Sequence, residues 1–197
     1  MGDAANSETG ETLTREPDFD DIARLCRDLN AAEAKYVLVG GFAIILHGYP
    51  RFTSDVDLLI EVGEENEAKV LQCLSSLPDH AAAQVKPGEV DHYGVVRIGD
   101  EIMIDLMKSG CGITYADAIV DAVIKDVQGV PVPVASHKTM WRMKQTIREK
   151  DIPDKVFLRQ WASQNNVTLD PPPEELKAAN TPRWLDRLLG WIFGRKD

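Results

Sequence analysis

Inside DVDLLI, residues 55–60, two carboxylates stand one residue apart at the head of an otherwise apolar run. A short run of this composition reads as a β-strand. Successive strand side chains point to opposite faces, so Asp55 and Asp57 share one face while Val56 and Leu58 share the other. A sheet built on this strand must therefore bury one face and reserve the other for something polar. Two carboxylates so close repel one another unless a cation lies between them.

The residues just before this strand sharpen the expectation. In VGGFAIILHG the apolar run at residues 36–39 reads as a buried strand that ends at Gly40 and Gly41, and Phe42 opens a helix. Paired glycines between a strand and a helix let backbone approach a ligand closely, and the free N–H groups of the helix start suit phosphate. A lone Gly-Gly is usually only a turn; the Asp-x-Asp at this distance changes that reading. Asp105, in EIMIDLM, is a third acid: Ile102, Ile104 and Leu106 face one way and Asp105 the other, so it needs a partner. Asp55, Asp57 and Asp105 together suit Mg2+, which favours a few carboxylates with phosphates and water; Mn2+ is the alternative ion.

Composition limits what else the chain can be. With 197 residues and 44% hydrophobic content it can form one globular domain with a real core. A net charge of -10, from 22 basic and 32 acidic residues, provides no global attraction for nucleic acid or an anionic membrane. Cys26, Cys73 and Cys111 are odd in number and unpatterned, which argues against a disulfide framework and suits a cytoplasmic location. No secretion signal and no membrane-length apolar run is legible.

The pattern along the chain predicts an acidic, disordered tail over residues 1–17, a folded domain over 18–168, a proline-rich linker over 169–182 and an amphipathic helix over 183–197. Within the domain, Asp18 is the expected N-cap of a first helix. Further helices are expected over 65–77, 115–122 and 136–150, and from about Pro153. Gly99-Asp100 reads as a two-residue hairpin turn, and Gln128-Gly129 as the turn of a second hairpin. The expected class is α+β: a small mixed sheet with helices mainly on one face and a helical C-terminal part.

VGG, thirteen residues, then DVDL resembles the signature of the nucleotidyltransferase superfamily that shares the DNA polymerase β fold. The order Arg-x-Thr-x-Asp-x-Asp in PRFTSDVDL is most similar to small bacterial minimal and abortive-infection toxin-type members, which implies a toxin-antitoxin setting. The resemblance spans residues 18–164. It implies an NTP substrate such as ATP at Gly40 and Gly41, and Mg2+ on Asp55, Asp57 and Asp105; Arg51, just before the Asp-x-Asp, adds positive charge, and Ser54 is a further candidate nucleotide contact. The second glycine position more often carries Ser in that family; here Gly41 offers only backbone.

WRMKQTIREKDIPD is similar to the Lys, Arg, Lys-Asp and Asp run that follows the core in the toxin-type relatives. A helical wheel over 136–150 buries Met140, Met143 and Ile147 and sets Lys144 and Arg148 side by side next to that stripe, as nucleotide ligands or as surface charges. Residues 136–160 carry seven Lys and Arg against three acids. His47 and His92 read as structural or solvent-exposed.

Two other chemistries do not fit. An aspartate-nucleophile phosphatase ends a hydrophobic strand on its first Asp, whereas residues 49–54 are polar and contain Pro50; a Rossmann site needs Gly-x-Gly-x-x-Gly, which GGFAIILHG lacks. The expected activity is transfer of a nucleoside monophosphate from an NTP to a hydroxyl acceptor, an RNA, a protein or a small molecule, with two ions about 3.5 to 4 Å apart and Asp105 on the acceptor side. The alternative is an inactive nucleotide-binding or protein-interaction module of the same fold. The helix at 183–197 is expected to pack on protein, its own core, a second copy or a partner, rather than to anchor the chain in a membrane.

Overall fold

The computed structural model describes residues 14–171. The sequence expectations for most of the acidic tail, the proline-rich linker beyond Pro171 and the amphipathic helix lie outside the described residues. The chain is already held at Arg15, whose guanidinium grips Asp21 with two bonds of 2.6 Å and whose backbone bridges to Ile102.

Helix α1, Phe19–Ala31, starts at Asp18 as expected, with a capping box between Asp18 and Asp21. Strand β1, Tyr36–Leu38, leads through Val39 into α2, Gly40–Leu46. Then come β2, Asp55–Ile60; α3, Glu64–Leu74; α4, Glu89–Tyr93; β3, Val95–Gly99; and β4, Met103–Met107. A two-residue ladder of β5, Ser109–Gly110, and β6, Ile113–Thr114, precedes α5, Tyr115–Ile119. The hairpin of β7, Val123–Val127, and β8, Val130–Val134, turns at Gln128-Gly129 as expected. Helix α6, His137–Met143, and α7, Ile152–Gln164, complete the described fold.

Six strands form one mixed sheet in the order β3-β4-β2-β1-β8-β7. β2 runs antiparallel to β1 and parallel to β4, and β3 pairs antiparallel with β4 at the edge. The fold is α+β. One face of β2, β3 and β4 carries Val56, Leu58, Val96, Ile98, Ile104 and Leu106, all buried, while the opposite face of the same strands carries the acids. α1 packs on α3 and against β7 and β8, and α6 packs on α2 and α7.

Two local expectations are corrected. Gly99 pairs with Met103, so the β3–β4 connection is three residues, Asp100 to Ile102, and not a two-residue turn. The reason is Asp100: it is buried, and its carboxylate accepts backbone N–H groups from Asp79, Ala81 and Glu101, which draws it out of a tight turn. Helix α6 also stops at Met143 instead of running to residue 150. Beyond it the chain wraps around the Asp151 carboxylate, which accepts from Lys144, Thr146 and Arg148, and Ile147 is left 74% exposed instead of buried.

Candidate active site

Asp55 and Asp57 leave β2 on its open face, as alternation requires. Asp105 stands beside Asp57 on the parallel neighbour β4, in direct register with it. One carboxylate oxygen from each of the three lies within 4.8 Å of the others. The three carboxylates are therefore brought together as expected, and two adjacent parallel strands are sufficient to do it.

The glycine turn closes on this cluster. Val39 N–H donates to the carbonyl of Asp57 at 3.0 Å, which ties the end of β1 to the middle of β2. Gly40 has φ +65, a backbone conformation that side chains disfavour, and a Cβ there would stand 1.7 Å from Asp57 Oδ2. Gly40 is glycine because the carboxylate occupies the space a side chain would need. Burial pushes the Asp57 carboxyl up to about 6, with the charges of Asp55 and Asp105 adding to the rise; Lys144 and the Gly41 N–H pull the other way.

The open face lies in a cleft of about 410 Å3, a size that suits a small ligand. Its wall includes Gly40, Gly41, Arg51, Asp55, Asp57, Asp105, Lys144 and Arg148, so eight of the nine expected site residues meet here. Ser54 is the exception: it is exposed and does not line the cleft, while its neighbour Thr53 does. Thr53 Oγ1 lies 3.3 Å from Asp55 Oδ1. Residues 53, 55 and 57 share one parity, so alternation extended back by one pair would have found Thr53.

Lys144 reaches the cleft from the C-cap of α6, not from a helix face. It is only 8% exposed and is held by Asp151 at 3.0 Å and by Asp154 at 2.9 Å. Arg51 meets the same Asp154 at 2.6 Å, and Arg148 meets Asp151 at 2.9 Å. Burial alone would raise the Asp151 carboxyl; bonds from Thr146 and Lys144 with the Arg148 charge outweigh it and hold the group below its ordinary range. Three cations over two buried carboxylates leave one positive charge in excess, facing the Asp55, Asp57 and Asp105 cluster across the cleft.

Arg97, on β3, is a second residue the sequence reading missed. It stands opposite Asp105 and donates to both of its carboxylate oxygens, at 2.7 and 2.6 Å, and its Nη2 lies 3.7 Å from Asp55 Oδ2. His47 lies outside the cleft wall: its Nε2 meets the Ala135 carbonyl at 2.7 Å and its ring packs at a tilt against His137, which fits the structural one of the two expected roles.

No protein-family model and no curated protein matches the chain. Solved structures similar to it include three nucleotidyltransferase-type proteins. An antigenic nucleotidyltransferase-like protein from Paracoccidioides brasiliensis is 17% identical, with 90% of each chain covered and a TM-score of 0.49. The antibiotic-resistance factor ANT(2'')-Ia is 18% identical, with 88% of this chain and 94% of that one covered and a TM-score of 0.48. A candidate nucleotidyltransferase from Thermotoga maritima is 15% identical, with 73% of this chain and 91% of that one covered and a TM-score of 0.44.

Proposed function

We propose that the protein is a metal-dependent nucleotidyltransferase that moves a nucleoside monophosphate from an NTP to a hydroxyl acceptor and releases pyrophosphate. The observation that carries this reading is the convergence of Asp55, Asp57 and Asp105 on a cleft whose opposite wall is basic and whose floor is the Gly40-Gly41 turn. The donor set is all oxygen and all carboxylate on one open face, which fits Mg2+ or Mn2+ and does not fit a soft metal. A divalent ion on Asp55 and Asp57 would neutralise charge on the phosphates at the bond being broken.

The chain's own residues would do the rest. Lys144 and Arg51, fixed in place by Asp154, would meet the phosphate oxygens as charge-assisted donors. Gly40 and Gly41 would let the triphosphate approach the backbone closely. Asp105, through the carboxylate lone pairs that Arg97 leaves free, would orient the acceptor hydroxyl and accept its proton as the oxygen bonds to the α-phosphorus. The α–β phosphoanhydride bond breaks in the same displacement, and pyrophosphate leaves with the electron pair.

Incubation with NTPs labelled at the α-phosphate, Mg2+ and a whole-cell extract tests this reading. Label should pass to one class of molecule, RNA, protein or small metabolite, with equimolar pyrophosphate, and the class that gains label identifies the acceptor. Nucleotide binding without any transfer across all three classes would overturn it.

A further inference from the structure

We infer that Arg97 is a built-in cation of this site: its guanidinium holds the place on Asp105 that a second divalent ion would need, so the protein works with one divalent ion, seated on Asp55 and Asp57. The inference rests on the transferase reading and deepens it.

The geometry is specific. Arg97 and Asp105 are cross-strand partners on β3 and β4. Nε donates to Oδ1 at 2.7 Å and Nη2 to Oδ2 at 2.6 Å, a forked pair that engages both oxygens of the carboxylate. The same Nη2 lies 3.7 Å from Asp55 Oδ2, so the guanidinium spans the acceptor side of the cluster. A guanidinium stays charged at any working pH, so it cannot vacate this role by losing a proton.

The charge balance points the same way. Counted over the acidic face alone, three carboxylates carry three negative charges and Arg97 cancels one, which leaves Asp55 and Asp57 to hold a divalent ion. A second divalent ion on Asp105 would sit within a few ångströms of the guanidinium. Like charges that close repel one another, and a divalent ion doubles the repulsion that a unit charge would feel. The ion and Arg97 therefore compete for Asp105, and Arg97 is covalently part of the chain. Its side chain is 59% exposed and lies outside the core, so replacing it removes the cation without emptying packed space.

The test counts ions and does not depend on turnover. Bound Mn2+ per chain is read from the EPR signal of the unbound ion, on the full-length protein alone and with a non-hydrolysable NTP, after subtraction of a nucleotide-only sample. Wild type should hold one ion per chain in both conditions, and Arg97→Gln should hold two when the NTP analogue is present. Two ions on wild type would overturn the inference while leaving the metal-dependent reading intact. One ion on Arg97→Gln would overturn it as well, because something other than Arg97 would then set the count. No bound Mn2+ on either protein would remove the inference together with the metal-dependent reading beneath it.

Discussion

A methyl group placed on Gly41 would stand 2.2 Å from Thr53 Oγ1 and 2.6 Å from Thr53 Cβ. Thr53 thus fills the space beside the glycine turn that a side chain at position 41 would take. A hydroxyl therefore stands beside the glycine turn, supplied by the loop before β2. A Gly here and a Thr there are one arrangement in two parts.

Gly41→Ser should consequently damage the protein even though it adds only a small polar side chain. Overpacking of this kind costs about 1–3 kcal/mol. Thermal unfolding should show a lowered midpoint for Gly41→Ser and substantial recovery in Gly41→Ser/Thr53→Ala, because the second change clears the volume. An unchanged midpoint in the single variant would contradict the steric reading.

Gly40→Ala should have no comparable rescue. Its obstacle is Asp57 Oδ2 at 1.7 Å, and its φ of +65 adds backbone strain. Mn2+ binding, followed by calorimetry, should fall at least tenfold in Gly40→Ala, since the substitution displaces a carboxylate that the ion needs.

Much of this site was legible in the sequence for one reason: alternation along a strand is rigid. Asp55, Asp57 and Asp105 needed only parity to be placed on a common face, and Gly40 and Gly41 only their position between strand and helix. Arg97 was hidden by the turn. A two-residue turn at Gly99-Asp100 sets Arg97 opposite Ile102, among apolar side chains. The three-residue connection drawn out by Asp100 sets it opposite Asp105. Alternation of Val96, Arg97 and Ile98 sets Arg97 off the apolar face, but only the register decides which residue it meets there. Lys144 lines the cleft although the helical wheel that set it beside the buried stripe does not exist at that point, because α6 ends one residue earlier. The buried Asp151 that unwinds the chain there exerts its effect from seven residues downstream.

Lys144→Ala should lower stability as well as nucleotide affinity, because it strips a partner from two buried carboxylates, Asp151 and Asp154. Breaking a buried pair in this way costs about 3–5 kcal/mol. Lys138→Ala, at an exposed position of α6, should be close to neutral. Denaturant unfolding separates the two effects from calorimetric titration with a non-hydrolysable NTP. Equal unfolding midpoints for the two variants would show that Lys144 is not the clamp described above.

Asp57→Asn should stabilise the metal-free protein, and the gain should depend on pH. Burial and two neighbouring carboxylates raise the folded-state Asp57 carboxyl to about 6, above its ordinary value of 3.8. The folded protein therefore holds a proton there that the unfolded chain releases between pH 4 and 6. The favourable contribution of this group is fully present below the ordinary value and is lost as pH rises through 6. At pH 7 wild type bears the whole cost of an ionised, crowded Asp57, on the order of 3 kcal/mol, and the asparagine variant does not. Thermal midpoints measured in EDTA should thus favour Asp57→Asn at pH 7 and converge with wild type near pH 4. Added Mg2+ or Mn2+ should reverse the order at pH 7, since an ion that binds only the folded wild type stabilises it by mass action. If the difference between the two proteins were the same at pH 4 and pH 7, the Asp57 carboxylate would not be the strained group; if metal failed to raise the wild-type midpoint, it would not be a ligand.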